Sequence, residues 1–114
     1  MAQTPEGRVK NAVKKVLTDS KRWGKIYQFW PVQMGYGAAT LDCLGCYQGR
    51  AFAVETKAPK GKLTARQRLT IREMETAGMT VFVIDGDETL GDLEMWLEWT
   101  RDDFGSYYQD DECP

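Results

Sequence analysis

With 114 residues, 42% of them hydrophobic and 28% charged, the chain is sized for one globular core and too short for two. The formal net charge of −2 hides an asymmetry: residues 1–84 hold 14 Lys and Arg against 6 Asp and Glu, a net of +8, while residues 85–114 hold 1 against 11, a net of −10. No histidine is present, which excludes imidazole as base, nucleophile or metal ligand and leaves catalysis to Asp, Glu, Lys, Tyr, Ser, Thr or Cys, with or without an oxygen-preferring metal.

Thr4-Pro5-Glu6 reads as a helix start: Thr4 as N-cap, Pro5 in the first turn, Glu6 near the positive end of the dipole. Val9, Val13, Val16 and Leu17 recur at helical spacing, with Lys10, Lys14 and Lys15 on other faces, and residues 19–24 end the helix. Ile26 to Val32 is rich in β-formers, and Pro31 places it near an edge or a strand end. Residues 33–40, with Gly35-Tyr36-Gly37, read as a loop. Thr40 to Cys46 and Ala51 to Lys57 form two strands joined by the turn Tyr47-Gln48-Gly49-Arg50, so a hairpin is expected.

Ala58 to Lys62 breaks the chain before a helix of about a dozen residues capped by Thr64, with Leu69, Met74 and Ala77 expected inward and Gly78 at its C-terminal end. Met79 to Ile84 is a compact apolar strand. A strand, a crossover helix and a strand in that order imply a parallel pair. Leu90 to Trp99 is a last amphipathic helix with Leu93, Trp96 and Leu97 on one face. The order is α-β-β-β-α-β plus a C-terminal helix, an α/β domain around a mixed sheet. It is expected to occupy residues 1–100 and to be followed by an acidic tail over 101–114. No apolar run approaches the roughly 20 residues of a membrane span, and the polar start does not resemble a signal peptide. A cytoplasmic protein is expected.

Three cysteines, Cys43, Cys46 and Cys113, are an odd number and read as reduced thiols. Cys43 and Cys46 have the spacing of a zinc knuckle. Four ligands are wanted, however, and one further cysteine without histidine does not supply them, so both read as small core or turn residues. Trp23, Trp30, Trp96 and Trp99 read as core or interface rather than as platforms for bases.

The residues that bear chemistry lie on the hairpin. Glu55 and Lys57 are two apart on a strand and leave the same face; Ala51 and Ala53 continue that face, while Phe52, Val54 and Thr56 point the other way. Across the hairpin stands Asp42, flanked by the apolar Leu41 and Leu44, where an acid is costly without a partner or a metal. Two carboxylates suit Mg²⁺ or Mn²⁺, and a lysine beside them can orient water or stabilise charge building on a phosphate. The alternative is an exposed Glu–Lys surface pair.

Gly35 to Asp42, then Gly49 to Pro59 with Glu55-Thr56-Lys57, then Gly61 to Gln67 together resemble the PD-(D/E)xK nuclease superfamily, most closely its VRR-NUC type in the small stand-alone form common in phages. The similarity covers roughly residues 4–86; Leu41 stands where the motif's name has proline. The resemblance implies a restriction-endonuclease-like core and Mg²⁺- or Mn²⁺-dependent endonuclease activity on DNA. It makes Asp42, Glu55, Lys57 and Gln67 catalytic and places Glu6, Asp42, Glu55 and Thr56 around the metal. It also implies selectivity for branched or four-way-junction DNA over base sequence, and a homodimer.

Lys10, Lys14, Lys60, Lys62, Arg66 and Arg68, with Tyr36 in the glycine loop, are the expected DNA contacts. Lys15, Lys21, Arg22, Lys25 and Arg72 add to the basic body. Two other readings stay open: an inactive DNA-binding accessory subunit, and an interaction module acting through the acidic tail.

Overall fold

The computed structural model describes residues 3–32 and 39–104. Helix α1 (Pro5–Asp19) starts as the sequence indicates: the Thr4 hydroxyl accepts the Gly7 N–H at 3.0 Å, and Pro5 occupies the first turn. Val9, Val13 and Leu17 turn inward from it, and Val16 packs against the same core from its margin. A single 3-10 turn (Ser20–Arg22) leads to strand β1 (Ile26–Phe29), which ends before Trp30 and Pro31. The strand expected to reach Val32 is therefore shorter, because proline cannot donate to a ladder.

Strands β2 (Cys43–Tyr47) and β3 (Arg50–Thr56) form the expected antiparallel hairpin. Its turn places Gln48 at φ 52° and Gly49 at φ 85°, the two left-handed positions that match the twist of the flanking strands. Helix α2 (Ala65–Thr76) carries the chain across to strand β4 (Thr80–Ile84), which pairs with β3 in parallel. The sheet has the order β1-β2-β3-β4, and helix α3 (Asp87–Phe104) closes the chain. The fold is thus α/β, with three α-helices and a four-stranded mixed sheet among the described residues. Helix α3 begins earlier and ends later than the apolar spacing suggested, so residues 101–104, expected in the tail, are helical; residues 105–114 lie outside the described residues.

The core lies between one sheet face and helices α1 and α3. Phe52, Val54, Ile84, Cys43 and Tyr47 meet Val9, Val13, Leu17, Leu93 and Leu97 there. Trp96 of α3 packs edge-on against both Phe52 and Phe82, with ring centroids 5.6 Å apart in each case. Helix α2 covers part of the opposite face. Its inward residues are Gln67, Thr70, Ile71 and Met74, whereas Leu69 is 54% exposed and Ala77 faces solvent. The expectation for Leu69 and Ala77 fails because the helix is oriented by a polar contact from Gln67, described below.

Of the four tryptophans, Trp96 belongs to the core and Trp30 packs against it, but Trp23 and Trp99 are 52% and 47% exposed, beneath the guanidinium groups of Arg101 and Arg50. No helix among the described residues is long and apolar enough to cross a membrane.

Candidate functional site

Asp42 stands one residue ahead of β2, and the hairpin register that pairs Cys43 with Val54 sets it opposite Glu55. Its carboxylate is held at one oxygen: Oδ2 accepts the Thr56 backbone N–H at 2.9 Å and the Thr56 hydroxyl at 2.7 Å. Thr56 is completely buried, and its hydroxyl is committed to Asp42. Its side chain therefore acts as the clamp on Asp42.

Glu55 is only 4% exposed, on the sheet face opposite the apolar core. Its Oε2 accepts the Gln67 amide N–H at 2.8 Å and lies 3.7 Å from the Lys57 ammonium, while the backbone N–H of Asp42 also bonds to the carboxylate. Burial pushes this carboxyl from the ordinary 4.5 up to about 7; the adjacent Asp42 charge acts in the same direction, and Lys57 opposes it. At Glu55, burial beside the Asp42 carboxylate thus outweighs the positive charge of Lys57.

Gln67 has two duties. Its side-chain oxygen accepts the Thr64 N–H at 2.9 Å while the Thr64 hydroxyl accepts the Gln67 N–H at 3.1 Å, a complete capping box. With the oxygen fixed on the helix start, the amide nitrogen is directed at Glu55. The first turn of α2 and the carboxylate are therefore positioned by the same side chain.

Asp42, Glu55, Lys57 and Gln67 line one cleft of about 460 Å³ together with Glu6, Lys10 and Lys14 from α1 and with Trp30 and Pro31. All four of the expected catalytic residues and Glu6 are brought together. Lys10 and Lys14 join them, but Lys60, Lys62, Arg66 and Arg68 do not line the cleft; they are exposed along the segment from Lys57 into α2. Tyr36 lies outside the described residues. The sequence reading missed Trp30 and Pro31 as cleft residues. Pro31 signalled only a strand end, and nothing local showed that this end lies against α1.

Among the described residues, no three His, Cys, Asp or Glu side chains gather into a ready-made metal cluster. The donors present are the paired carboxylates of Asp42 and Glu55, with Glu6 on the same cleft. This hard-oxygen pair fits Mg²⁺ or Mn²⁺, which bind through one or two carboxylates and keep several waters. It does not fit a closed zinc site. Cys43 and Cys46, three apart on one strand, leave opposite faces: Cys43 is buried, and burial pushes its thiol up to about 12, while Cys46 is exposed.

Comparison with protein-family models, with characterised proteins and with solved structures gives no match.

Proposed function

We propose that this chain is a Mg²⁺- or Mn²⁺-dependent nuclease that hydrolyses phosphodiester bonds in DNA, built on a restriction-endonuclease-like core. One observation carries the reading: Asp42, Glu55, Lys57 and Gln67, drawn from separate parts of the chain, converge on a cleft whose other polar walls are Glu6, Lys10 and Lys14. A surface Glu–Lys pair would leave Glu55 solvated, yet it is 4% exposed and hydrogen-bonded to a helix cap.

Asp42 and Glu55 are the residues that would hold the cation, Asp42 oriented by Thr56 and Glu55 by Gln67. When bound, the cation supplies positive charge against the phosphate and lowers the pKa of water at the site. Lys57 brings its ammonium to the same carboxylate, where it orients the attacking water and stabilises negative charge growing on the phosphate. Lys10 and Lys14 offset the charge of the incoming strand along α1. Thr56 donates its hydroxyl proton to Asp42, so its part in the site is to hold that carboxylate. Preference for branched DNA and action as a homodimer are parts of the proposal that rest on the sequence resemblance.

The test is cleavage of labelled single-stranded, duplex, flap and four-way-junction DNA with Mg²⁺ and Mn²⁺, comparing wild type with Asp42→Asn and Lys57→Ala. Metal-dependent cutting lost in both variants, with folding and DNA binding retained, supports the reading. A wild type that binds DNA but cuts nothing leaves an accessory subunit; one that neither binds nor cuts removes nucleic acid from the account.

A further inference from the structure

We infer that Trp30 is a positioning residue that holds Lys14 as a phosphate-binding group, so that the cleft grips a second phosphate of the same strand beside the one at Asp42 and Glu55. The inference rests on the nuclease reading above and extends it to the substrate: an oligonucleotide with consecutive phosphates rather than an isolated phosphodiester.

Lys10 and Lys14 are one turn apart on α1, so they share a face, and both reach the cleft. A lysine has four rotatable bonds and ordinarily sweeps a wide volume. Here the Lys14 ammonium is drawn to the face of Trp30, 4.9 Å from the ring centroid. The ring is itself fixed: its indole N–H donates to Gln28 Oε1 at 2.8 Å, and Gln28 Nε2 donates to the Thr18 hydroxyl at 3.2 Å. Thr18 lies one helical turn beyond Lys14. The chain of contacts Thr18–Gln28–Trp30–Lys14 therefore begins and ends on α1, tying the end of β1 to the helix that carries the lysine.

Among the described residues Lys14 has no carboxylate partner, in contrast to Lys57, which pairs with Glu55, and Lys15, which pairs with Asp19 at 3.3 Å. The Cys43 thiol, which burial keeps protonated, also feels the charge of Lys14. An ammonium held against an aromatic face, without an ion pair of its own, on the wall of a cleft suits an anion, and that face leaves it less hydrated than bulk water does. One ring face is occupied by Lys14 and the indole is packed against the core, so the arrangement favours Trp30 as support for the cation over Trp30 as a stacking surface for a base.

The test compares wild type with Lys14→Met, Trp30→Phe, Trp30→Leu and the Lys14→Met/Trp30→Leu double variant on an oligonucleotide and on bis(p-nitrophenyl) phosphate, which carries one phosphate. Folding of each is checked by thermal melting. Expected for Lys14→Met and Trp30→Leu is a rise in KM for the oligonucleotide of roughly three- to tenfold, the net scale of one hydrogen-bonded contact in a solvated cleft, with a smaller loss on the single phosphodiester. The slope of log affinity against log salt falls by about 0.7 to 0.9 in Lys14→Met, one phosphate contact's worth. Trp30→Phe keeps an aromatic face and recovers most of the affinity, and the double variant is no worse than Lys14→Met alone, because both substitutions remove one interaction.

Equal losses on both substrates, additive losses in the double variant, or wild-type KM and salt slope in Lys14→Met overturn the inference while leaving the nuclease reading intact. Should Trp30→Leu fail to fold, Lys14→Met with Trp30→Phe still decides the matter. If wild type cleaves neither substrate, the nuclease reading itself falls and the inference falls with it.

Discussion

Replacing Glu55 by glutamine should make the metal-free protein more stable at alkaline pH, even though it removes a residue the site needs. In the folded protein the carboxyl stands at about 7 against an ordinary 4.5, because it is buried and faces Asp42. A folded-state pKa raised above the unfolded value contributes stability that is fully present below about 4.5 and is lost as pH rises through 7. Over that interval the folded chain holds a proton that the unfolded chain has released. At about 1.4 kcal/mol for each tenfold gap between the two ionisation constants, the loss by pH 8 is roughly 3 kcal/mol, a large share of the 5–15 kcal/mol that holds a typical domain together.

The glutamine side chain of the Glu55→Gln variant carries no charge, and its amide oxygen can still accept the Gln67 N–H. The alkaline loss attributable to this position should therefore vanish. Urea unfolding in EDTA at pH 5, 6, 7 and 8 measures it directly. Wild-type stability should fall across the series relative to Glu55→Gln, the difference opening from about pH 5 and levelling off above about pH 7. Parallel profiles for the two proteins from pH 5 to 8 would refute the claim that Glu55 is ionised against its environment.

Mg²⁺ or Mn²⁺ binding, followed by calorimetry in buffers of different ionisation enthalpy, should strengthen as pH rises towards about 7 and release close to one proton per ion below that pH, falling to none well above it, since a cation displaces the Glu55 proton; Asp42→Asn should weaken it sharply. Thr56→Val removes a 2.7 Å bond to the Asp42 carboxylate and leaves the backbone N–H as the remaining Thr56 contact. It should cost about 1.5–3 kcal/mol in urea unfolding and slow single-turnover cleavage more than it weakens DNA binding. Gln67→Ala should cost about 1 kcal/mol by loss of the capping box. Gln67→Glu keeps an oxygen for the Thr64 N–H but sets a third carboxylate against Glu55, so the pH midpoint of metal binding should move alkaline. Gly45→Ala would put a methyl group 2.5 Å from Phe52 Cζ and in collision with the Tyr27 carbonyl oxygen; β1 must shift, and thermal melting should show a loss of about 1–3 kcal/mol.

Local pattern was enough for much of the architecture. Thr4-Pro5 and Thr64 start helices by satisfying backbone N–H groups within their own first turns, Gln48-Gly49 forces the β2–β3 turn, and the order strand, helix, strand leaves a parallel β3–β4 pair as the right-handed solution. The period of two on β3 likewise separates Glu55 and Lys57 from Phe52 and Val54, and the hairpin brings Asp42 opposite Glu55. These features depend on residues near one another in the chain, or on a pairing that a short turn dictates.

How the pieces meet is a matter of packing between elements. Leu69 faces solvent because the bond from Gln67 to Glu55 rotates α2 so that Thr70 is buried instead. Thr56, on the opposite side of the pleat from Glu55 by simple alternation, reaches Asp42 because that residue sits beyond the end of the β2 ladder, where alternation no longer governs direction. Trp30 becomes a wall of the cleft because α1 packs beside the end of β1, a contact between residues sixteen apart with no signature in either segment. Short-range geometry is written in backbone preference and turn chemistry. The buried charge of Glu55 and the placement of Lys14 exist only once separate elements share one volume, because desolvation and ion placement depend on everything packed around a group and not on its neighbours in the chain.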